Sequence, residues 1–502
     1  MVKLSKSRLL AFRQCERRLW LEIHRPELRD DTPGSQANFA AGHLVGDLAR
    51  RLYDPHGLGH LFDPMREGIA ASLAATQARL PERRPLFEAG FAALGALSFA
   101  DILLPHGAGQ GWRMVEVKSS TGVKDYYLDD AAIQSTVARA AGLQLDSISI
   151  AHIDSDWIYP GHGDYRGLLT EQDVSHEAQA RSAAVQDWIT AAQHSAELPQ
   201  EPALRPGSQC KTPWPCGFAA HCASTEPATA YPVSWLPRAT ATALRACIDN
   251  GARDMRDVPD DLLNGQQRRV KQASVSGQPY FDAEGAAREL APHALHAGFL
   301  DFETIRFAVP VWAGTRPYQM IPFQFSLHWL DEHGEPCLHK EFLDLSGDDP
   351  SWAFAQALVA ACDRPGPIYA YNAGFERARI KELAQRFTAL AMPLDAIQAR
   401  IIDLYPIAQR YYYHPSQQGS WSIKELLPAI APDLRYDALE GVQHGGAAME
   451  AYLEASAAAT SPERRVTIRR QLLDYCHLDT LAMVRIWHFF KQKGLTSAKG
   501  RP

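Results

Sequence analysis

Carboxylates spaced to leave a backbone on one side are the most chemically suggestive feature of this chain. In GFLDFETI, Asp301 and Glu303 are separated by one residue, so on a β-strand both side chains share a face. Two buried like charges are costly unless cations neutralise them, and hard oxygen ligands of this kind suit Mg²⁺ or Mn²⁺. In DYCHLDT, Tyr475 and Asp479 stand at i and i+4, which brings both to one side of a helix. Between these segments, YNAGFERARIKEL puts Glu376 just after a strand and turn, at the beginning of a helix. A second constellation lies upstream, where Asp101 follows LSFA and Glu116 and Lys118 alternate in WRMVEVKSS. Phosphodiester hydrolysis needs oxygen ligands for a divalent ion, a positive charge for the reacting phosphate and a group that orients water. Asp101 and Glu116 supply the first, and Lys118 suits the others.

Thiols form the third pattern. Cys210, Cys216 and Cys222 repeat as C-x5-C-x5-C in QCKTPWPCGFAAHC, and Cys15 lies far upstream beside basic and aromatic residues. Four thiolates converging on one site suit zinc or an iron-sulfur cluster. The spacing lacks the close C-x2-4-C knuckles usual in structural zinc sites. Both ligands remain open on spacing alone.

The elements that must position these groups read as two α/β regions. A helix is predicted over residues 5–20 and another over 36–53. Strands follow in PLFEAGFAAL, LSFADILLP and WRMVEVKSS, then a helix over 124–141, a strand in SISIAHID, a helix over 171–196 and the Cys-rich loop at 207–224. The Pro-containing stretch TEPATAYPVSWLP marks a boundary near 225, and 226–290 reads as a helical connector. The second region, 291–495, opens with the strand carrying Asp301, continues through IPFQFSLHWL, LHKEFLDL and GPIYAYN, and ends in a long helix over 461–492. The loop RYYYHPSQQGSWSIK gathers Arg410, Tyr411, Tyr412, Tyr413, Trp421 and Lys424, types that stack on unpaired bases and contact phosphates. Arg316, in WAGTRPYQM, is a further candidate phosphate contact.

Composition narrows the class. With 502 residues, 46% hydrophobic and 22% charged, the chain has the proportions of a folded multidomain protein and not of a disordered one. Its formal net charge of −7 does not advertise a polyanion binder, so nucleic acid would have to be held by local basic groups or bound cations. No run approaches a membrane span, and MVKLSKSRLL lacks the apolar core of a signal peptide. A cytoplasmic location without membrane association is expected, and eight cysteines are too few for a disulfide scaffold.

On these motifs residues 1–225 resemble the RecB-like nucleases of the PD-(D/E)XK, restriction-endonuclease-like fold that carry a four-cysteine iron-sulfur cluster, relatives of the CRISPR-adaptation exonucleases and AddB. The resemblance implies a 4Fe-4S cluster on Cys15, Cys210, Cys216 and Cys222. It also implies metal-site roles for Glu88, Asp101 and Glu116, catalysis by Lys118, and Gln134 as the glutamine of the following helix. Two positions depart from the pattern. Gly46 stands where many relatives have a metal-binding His, leaving His43 out of register, and Ala138 stands where a Tyr is usual.

Residues 291–495 resemble the DEDDy exonucleases of the ribonuclease H-like fold, through Asp301 and Glu303, N-A-G-F-E ending at Glu376, and Tyr475 with Asp479. This resemblance implies 3′ to 5′ removal of nucleotides with two Mg²⁺ or Mn²⁺ ions held by Asp301, Glu303, Glu376 and Asp479, and a water oriented by Tyr475. Glu376 replaces the usual Asp, and Asp403 in RIIDLYP is the fallback acid. The expected substrate is single-stranded DNA or DNA ends. Two alternatives are a nucleic-acid-binding scaffold with one or both sites degenerate, and an RNA-processing exonuclease.

Overall fold

Alternating and continuous apolar runs build two separate sheets, as seen in a computed structural model that describes residues 4–31, 33–107, 109–293 and 295–498. The chain is mixed α/β. It divides into two units, Met1–Pro227 with Arg306–Gln319, and Ala228–Ile305 with Met320–Pro502.

The first unit holds β1 (Leu4–Ser5), β2 (His60–Leu61), β3 (Leu86–Ala93), β4 (Ala96–Pro105), β5 (Trp112–Lys118), β6 (Leu145–Ile153) and β7 (Leu169–Asp173). The order is β2-β3-β4-β5-β6-β7, with β1 pairing β4. β3, β4 and β5 run antiparallel in succession, whereas β6 returns parallel to β5. That return needs a crossover, supplied by the helix Asp125–Ala140, whose residues 129–138 are all buried. Ala131, Ala132, Ile133, Val137 and Ala138 join Ala89, Phe91, Met114 and Ile150 in one core.

Two expectations shift here. The helix predicted over 5–20 is two helices, Lys6–Gln14 and Glu16–His24, separated by Cys15 in an extended conformation. The start of the helix predicted over 171–196 is the edge strand β7, and the helix begins at Ser175. β7 is almost wholly exposed, so it carries no apolar alternation to betray it.

The second unit contains β8 (Tyr280–Phe281), β9 (Gly298–Ile305), β10 (Ile321–Leu330), β11 (Pro336–Leu343), β12 (Ile368–Ala370), β13 (Ile401–Asp403) and β14 (Tyr412–Tyr413). Its main sheet has the order β11-β10-β9-β12-β13. The first three strands are antiparallel neighbours, and β12 and β13 are parallel to β9 and to each other. β9 feeds two cores: Leu300 and Phe302 pack with Phe354 and Leu358 on one side, and Phe299 packs with Met483, Trp487 and Phe490 of the helix Pro462–Ala498 on the other. Asp301 and Glu303 alternate with that first set and share the side of Phe299.

The proposed division needs correction at two places. Residues 226–290 are not a separate connector, because Leu244, Met255, Val258, Val270 and Ala286 lie in the same core as Phe299 and Trp487. Conversely, 306–319 leaves the second region: Ala308 and Val309 pack with Val45, Leu48, Ile153 and Leu168 of the first unit. Tyr165 Oη donates to Pro310 O at 3.1 Å and Tyr318 Oη to Ser119 O. Arg316 therefore belongs to the first unit. Neither reassignment has a local sequence signature, since both depend on partners distant in the chain.

The aromatic loop is also largely structural. Tyr412, Tyr413 and Trp421 are buried. Trp421 Nε1 donates to Tyr412 O at 2.8 Å, and Gly419 N donates to the Tyr413 hydroxyl at 3.1 Å. Gly419 has φ +83°, and a Cβ there would sit 1.8 Å from Trp235 O, so only glycine lets the turn close on its neighbour. Among the described residues, no helix is long and apolar enough to cross a membrane.

Trp421→Ala is expected to cost about 3–5 kcal/mol, as for other buried aromatics, in equilibrium urea unfolding of the full chain. An unchanged midpoint would return this residue to the surface role its sequence context suggests.

Candidate functional site

Asp301 and Glu303 project from β9 toward the helix Pro462–Ala498, on which Asp479 lies, and one carboxylate oxygen from each of the three falls within 4.8 Å of the others. Glu303 and Asp479 are buried. Glu376, in the first turn of the helix Gly374–Arg386, is buried as well, and its Oε2 finds no hydrogen-bond partner. Its charge is felt at both Asp301 and Glu303. The four acids named from the motifs thus form one electrostatic group.

Burial pushes all four carboxyls upward. Asp301 lies well above the usual range, raised by desolvation and then by Asp479, Glu376 and Glu303. Glu303 reaches about 8, through desolvation and then Asp479. Glu376 also reaches about 8, through desolvation and then Asp403. Asp479 stops at about 6: desolvation raises it, but Tyr436, Lys424 and Tyr475 oppose the rise. The donor set and the unsatisfied Glu376 oxygen fit a hard divalent cation, whose charge would offset this repulsion.

Two neighbours, Tyr436 and Cys476, have no place in the sequence reading, and Lys424 has a different one. Tyr436 Oη donates to Asp479 Oδ1 at 2.5 Å. Lys424 belongs to the loop expected to stack on bases and contact phosphates, and its ammonium is 5.0 Å from the ring centroids of both Tyr436 and Tyr475 and donates to Gln443 O at 2.6 Å. Its pKa is lowered by burial, against the pull of Asp479, Glu303 and Asp301. Cys476 is fully buried with Sγ 3.8 Å from Asp301 Oδ2. None of these belongs to a recognisable motif, although Cys476 is the direct neighbour of Tyr475. Asp403 instead caps a helix: its Oδ1 accepts from Asn372 N and Tyr405 N, both at 2.9 Å.

In the first unit β4 and β5 bring Asp101, Glu116 and Lys118 together. Asp101 Oδ2 accepts from Val117 N at 2.7 Å, and Glu116 Oε1 accepts from Lys118 Nζ at 2.7 Å. Gln134 donates to Glu116 Oε2 at 2.5 Å and to Asp130 Oδ1 at 3.0 Å. Glu88, in a left-handed conformation at φ +54° on β3, has a raised pKa from desolvation and then from Glu116. His43 is exposed, and its influence on Glu88 is a minor one that opposes that rise.

Two residues absent from the sequence reading complete this network. Lys6 Nζ lies 2.8 Å from Glu116 Oε1 and 3.3 Å from Asp130 Oδ1, and Lys118 pairs with Asp130 too. Burial alone would raise the Glu116 carboxyl, but Lys118 and Lys6 outweigh it and hold it well below the usual range. Asp101 has no such ammonium bonded to it and is pushed well up by burial and by Glu116.

All four cysteines lie in the first unit, and no three of their sulfurs lie within 4.8 Å of one another. The Cys15, Cys216 and Cys222 thiols are raised by burial, and each also feels the thiol of Cys210. Gln14 Nε2 ties the two segments by donating to Gln209 O at 2.7 Å and Trp214 O at 2.8 Å. Arg17 and Arg18 are buried beside them, Arg17 acting on Cys15 and Cys222 and Arg18 on Cys216. Soft donors next to buried cations fit a thiolate-bound metal centre.

A family model described as a domain of unknown function (DUF2779) matches residues 298–422. The match takes in Asp301, Glu303, Glu376 and Asp403 and stops short of Tyr475 and Asp479. No curated protein matches the chain.

The raised carboxyls carry a pH signature. Their folded values exceed unfolded ones of about 4, so the folded state binds more protons in between, and stability falls as pH climbs from about 4 to about 8. Thermal melts of the full chain in EDTA should show this decline, Mg²⁺ or Mn²⁺ should oppose it, and Glu303→Gln should flatten it. A melting point in EDTA that rises over the same interval would contradict the assigned directions.

Proposed function

We propose that the chain is a metal-dependent nuclease whose principal active site is the acidic group of the second unit, acting as a 3′ to 5′ exonuclease on unpaired ends. The observation that carries this reading is the convergence of Asp301, Glu303 and Asp479 within 4.8 Å, with Glu376 unsatisfied beside them. The five-strand order β11-β10-β9-β12-β13, antiparallel then parallel, supports a ribonuclease H-like fold with the acids on its central strand. In the first unit, three antiparallel strands followed by a buried helix and a parallel strand support a PD-(D/E)XK-like core.

A divalent ion held by Asp301, Glu303, Glu376 and Asp479 would supply water activation and charge neutralisation. The protein's own groups supply orientation. Tyr475 interacts with Asp479, so its hydroxyl is held where it can direct the attacking water. Lys424 lies 5.0 Å from both tyrosine rings and within electrostatic reach of Asp479, Glu303 and Asp301, a fitting position for a cation that meets the substrate phosphate.

A specific observation favours a second reading for the first unit. Lys6 already neutralises Glu116 and Asp130, which suits a nucleic-acid-binding element as well as it suits a nuclease. We assign Cys15, Cys210, Cys216 and Cys222 to a 4Fe-4S cluster that would tie the break after Gln14 to the loop 207–224.

Full-length protein, given a single strand labelled at its 5′ end and Mg²⁺ or Mn²⁺, should produce a ladder that shortens from the 3′ end and disappears in EDTA. Asp301→Ala should lower the rate by about 100-fold or more, and Tyr475→Phe by about 10- to 100-fold with substrate binding retained. DNA and RNA strands run in parallel identify the sugar. Activity that survives Asp301→Ala but is lost in Lys118→Ala would transfer the chemistry to the first unit; loss in neither would sink the proposal.

Anaerobically purified protein should be brown and contain iron, and Cys210→Ala should both bleach it and lower the melting temperature of the first unit. Stoichiometric zinc without iron would refute the cluster.

A further inference from the structure

Three histidines from three elements meet on the second unit's sheet. His328 on β10 and His339 on β11 are direct cross-strand partners, and their rings stack with centroids 4.3 Å apart. His477, on the helix Pro462–Ala498, closes the triangle at 4.6 Å from each. One ring nitrogen from each histidine lies within 4.8 Å of the other two. Stacked imidazoles have no strong mutual attraction to explain such a cluster, and if protonated they would repel one another.

The surroundings fix the rings as metal ligands are usually fixed, through hydrogen bonds to the second nitrogen. His328 Nδ1 meets Thr480 Oγ1 at 2.8 Å, and His339 Nε2 meets Ser326 Oγ at 2.9 Å. The two hydroxyls are themselves 2.7 Å apart, and Thr480 Oγ1 donates onward to His477 O at 3.0 Å. Glu341 Oε2 stands 4.0 Å from His339 Nδ1, a nearby negative charge for a bound cation.

We propose that His328, His339 and His477 form a second metal site, separate from the acidic group, that takes a zinc-class divalent ion. Three imidazoles suit Zn²⁺ and its borderline neighbours, whereas Mg²⁺ and Mn²⁺ prefer the carboxylates. A tetrahedral ion with three His ligands keeps its fourth position for water. The site staples β11, the edge strand of the sheet, to the helix that carries Tyr475 and Asp479. The ion thereby fixes that helix two residues from each of them while taking no part in their chemistry. This inference stands whether or not the nuclease reading does.

The test uses the full chain, stripped with EDTA, loaded with excess Zn²⁺ and passed through gel filtration. It should retain one more equivalent of zinc than His339→Gln, and its zinc K-edge spectrum should carry imidazole scattering with Zn–N at about 2.0–2.1 Å. The variant's far-ultraviolet circular dichroism checks its fold; if it fails to fold, the K-edge spectrum of the unaltered chain decides alone. Equal zinc in two folded proteins, or a spectrum built only from sulfur and carboxylate oxygen, overturns the site.

Discussion

A carboxylate taken out of water must find a positive charge, a proton or a hydrogen-bond donor, and the two units meet that demand differently. In the first, Lys6 and Lys118 bond to Glu116, and its carboxyl is held ionised. In the second, Asp301, Glu303 and Asp479 converge with the ammonium of Lys424 nearby, its own pKa lowered by burial, while Glu376 feels Arg379. In the first unit Glu116 and Asp130 are paired while Asp101 is not; in the second, the acids are left with a charge deficit that a divalent cation is suited to fill.

Such a deficit persists only if the scaffold pays for it. β9 is gripped on both faces, by Phe354 and Leu358 on one side and by Trp487 and Phe490 on the other, so Asp301 and Glu303 cannot relax away from the helix carrying Asp479. Residues 228–290 belong to that grip through Met255, Val270 and Ala286. The buried Tyr413 and Trp421 hold the turn that leads to Lys424. Aromatic residues that look like a docking surface in the sequence therefore serve the placement of one lysine.

The first unit adds polar ties to its apolar packing, in which Leu21 meets Phe218 and Cys222. Arg17 is buried and donates to Glu201, Leu204 O and Thr225, while Gln14 bridges to Gln209 and Trp214. These bonds join the N-terminal helices to the segment after Ala196, the same two stretches that carry the four cysteines. Breaking a buried charge pair by removing one partner is strongly destabilising, so the thiol arrangement and the stability of the unit are tied together.

The sequence by itself determined the strands and helices that bear the acids, because period-2 alternation around Asp301 and Glu116 and the i, i+4 spacing of Tyr475 and Asp479 are local properties of the backbone. It also picked out Asp301, Glu303 and Asp479, which converge in the second unit, and Asp101 and Glu116 in the first. Tertiary structure alone decided the rest. Lys6, Asp130, Lys424 and Tyr436 complete the two sites from positions with no motif, since a counter-charge is defined by distance in space and not along the chain. The assignment of 306–319 to the first unit, the merging of 226–290 into the second, and the meeting of His328, His339 and His477 have the same cause. Each depends on which surfaces are buried against each other, and that is settled only when the cores close.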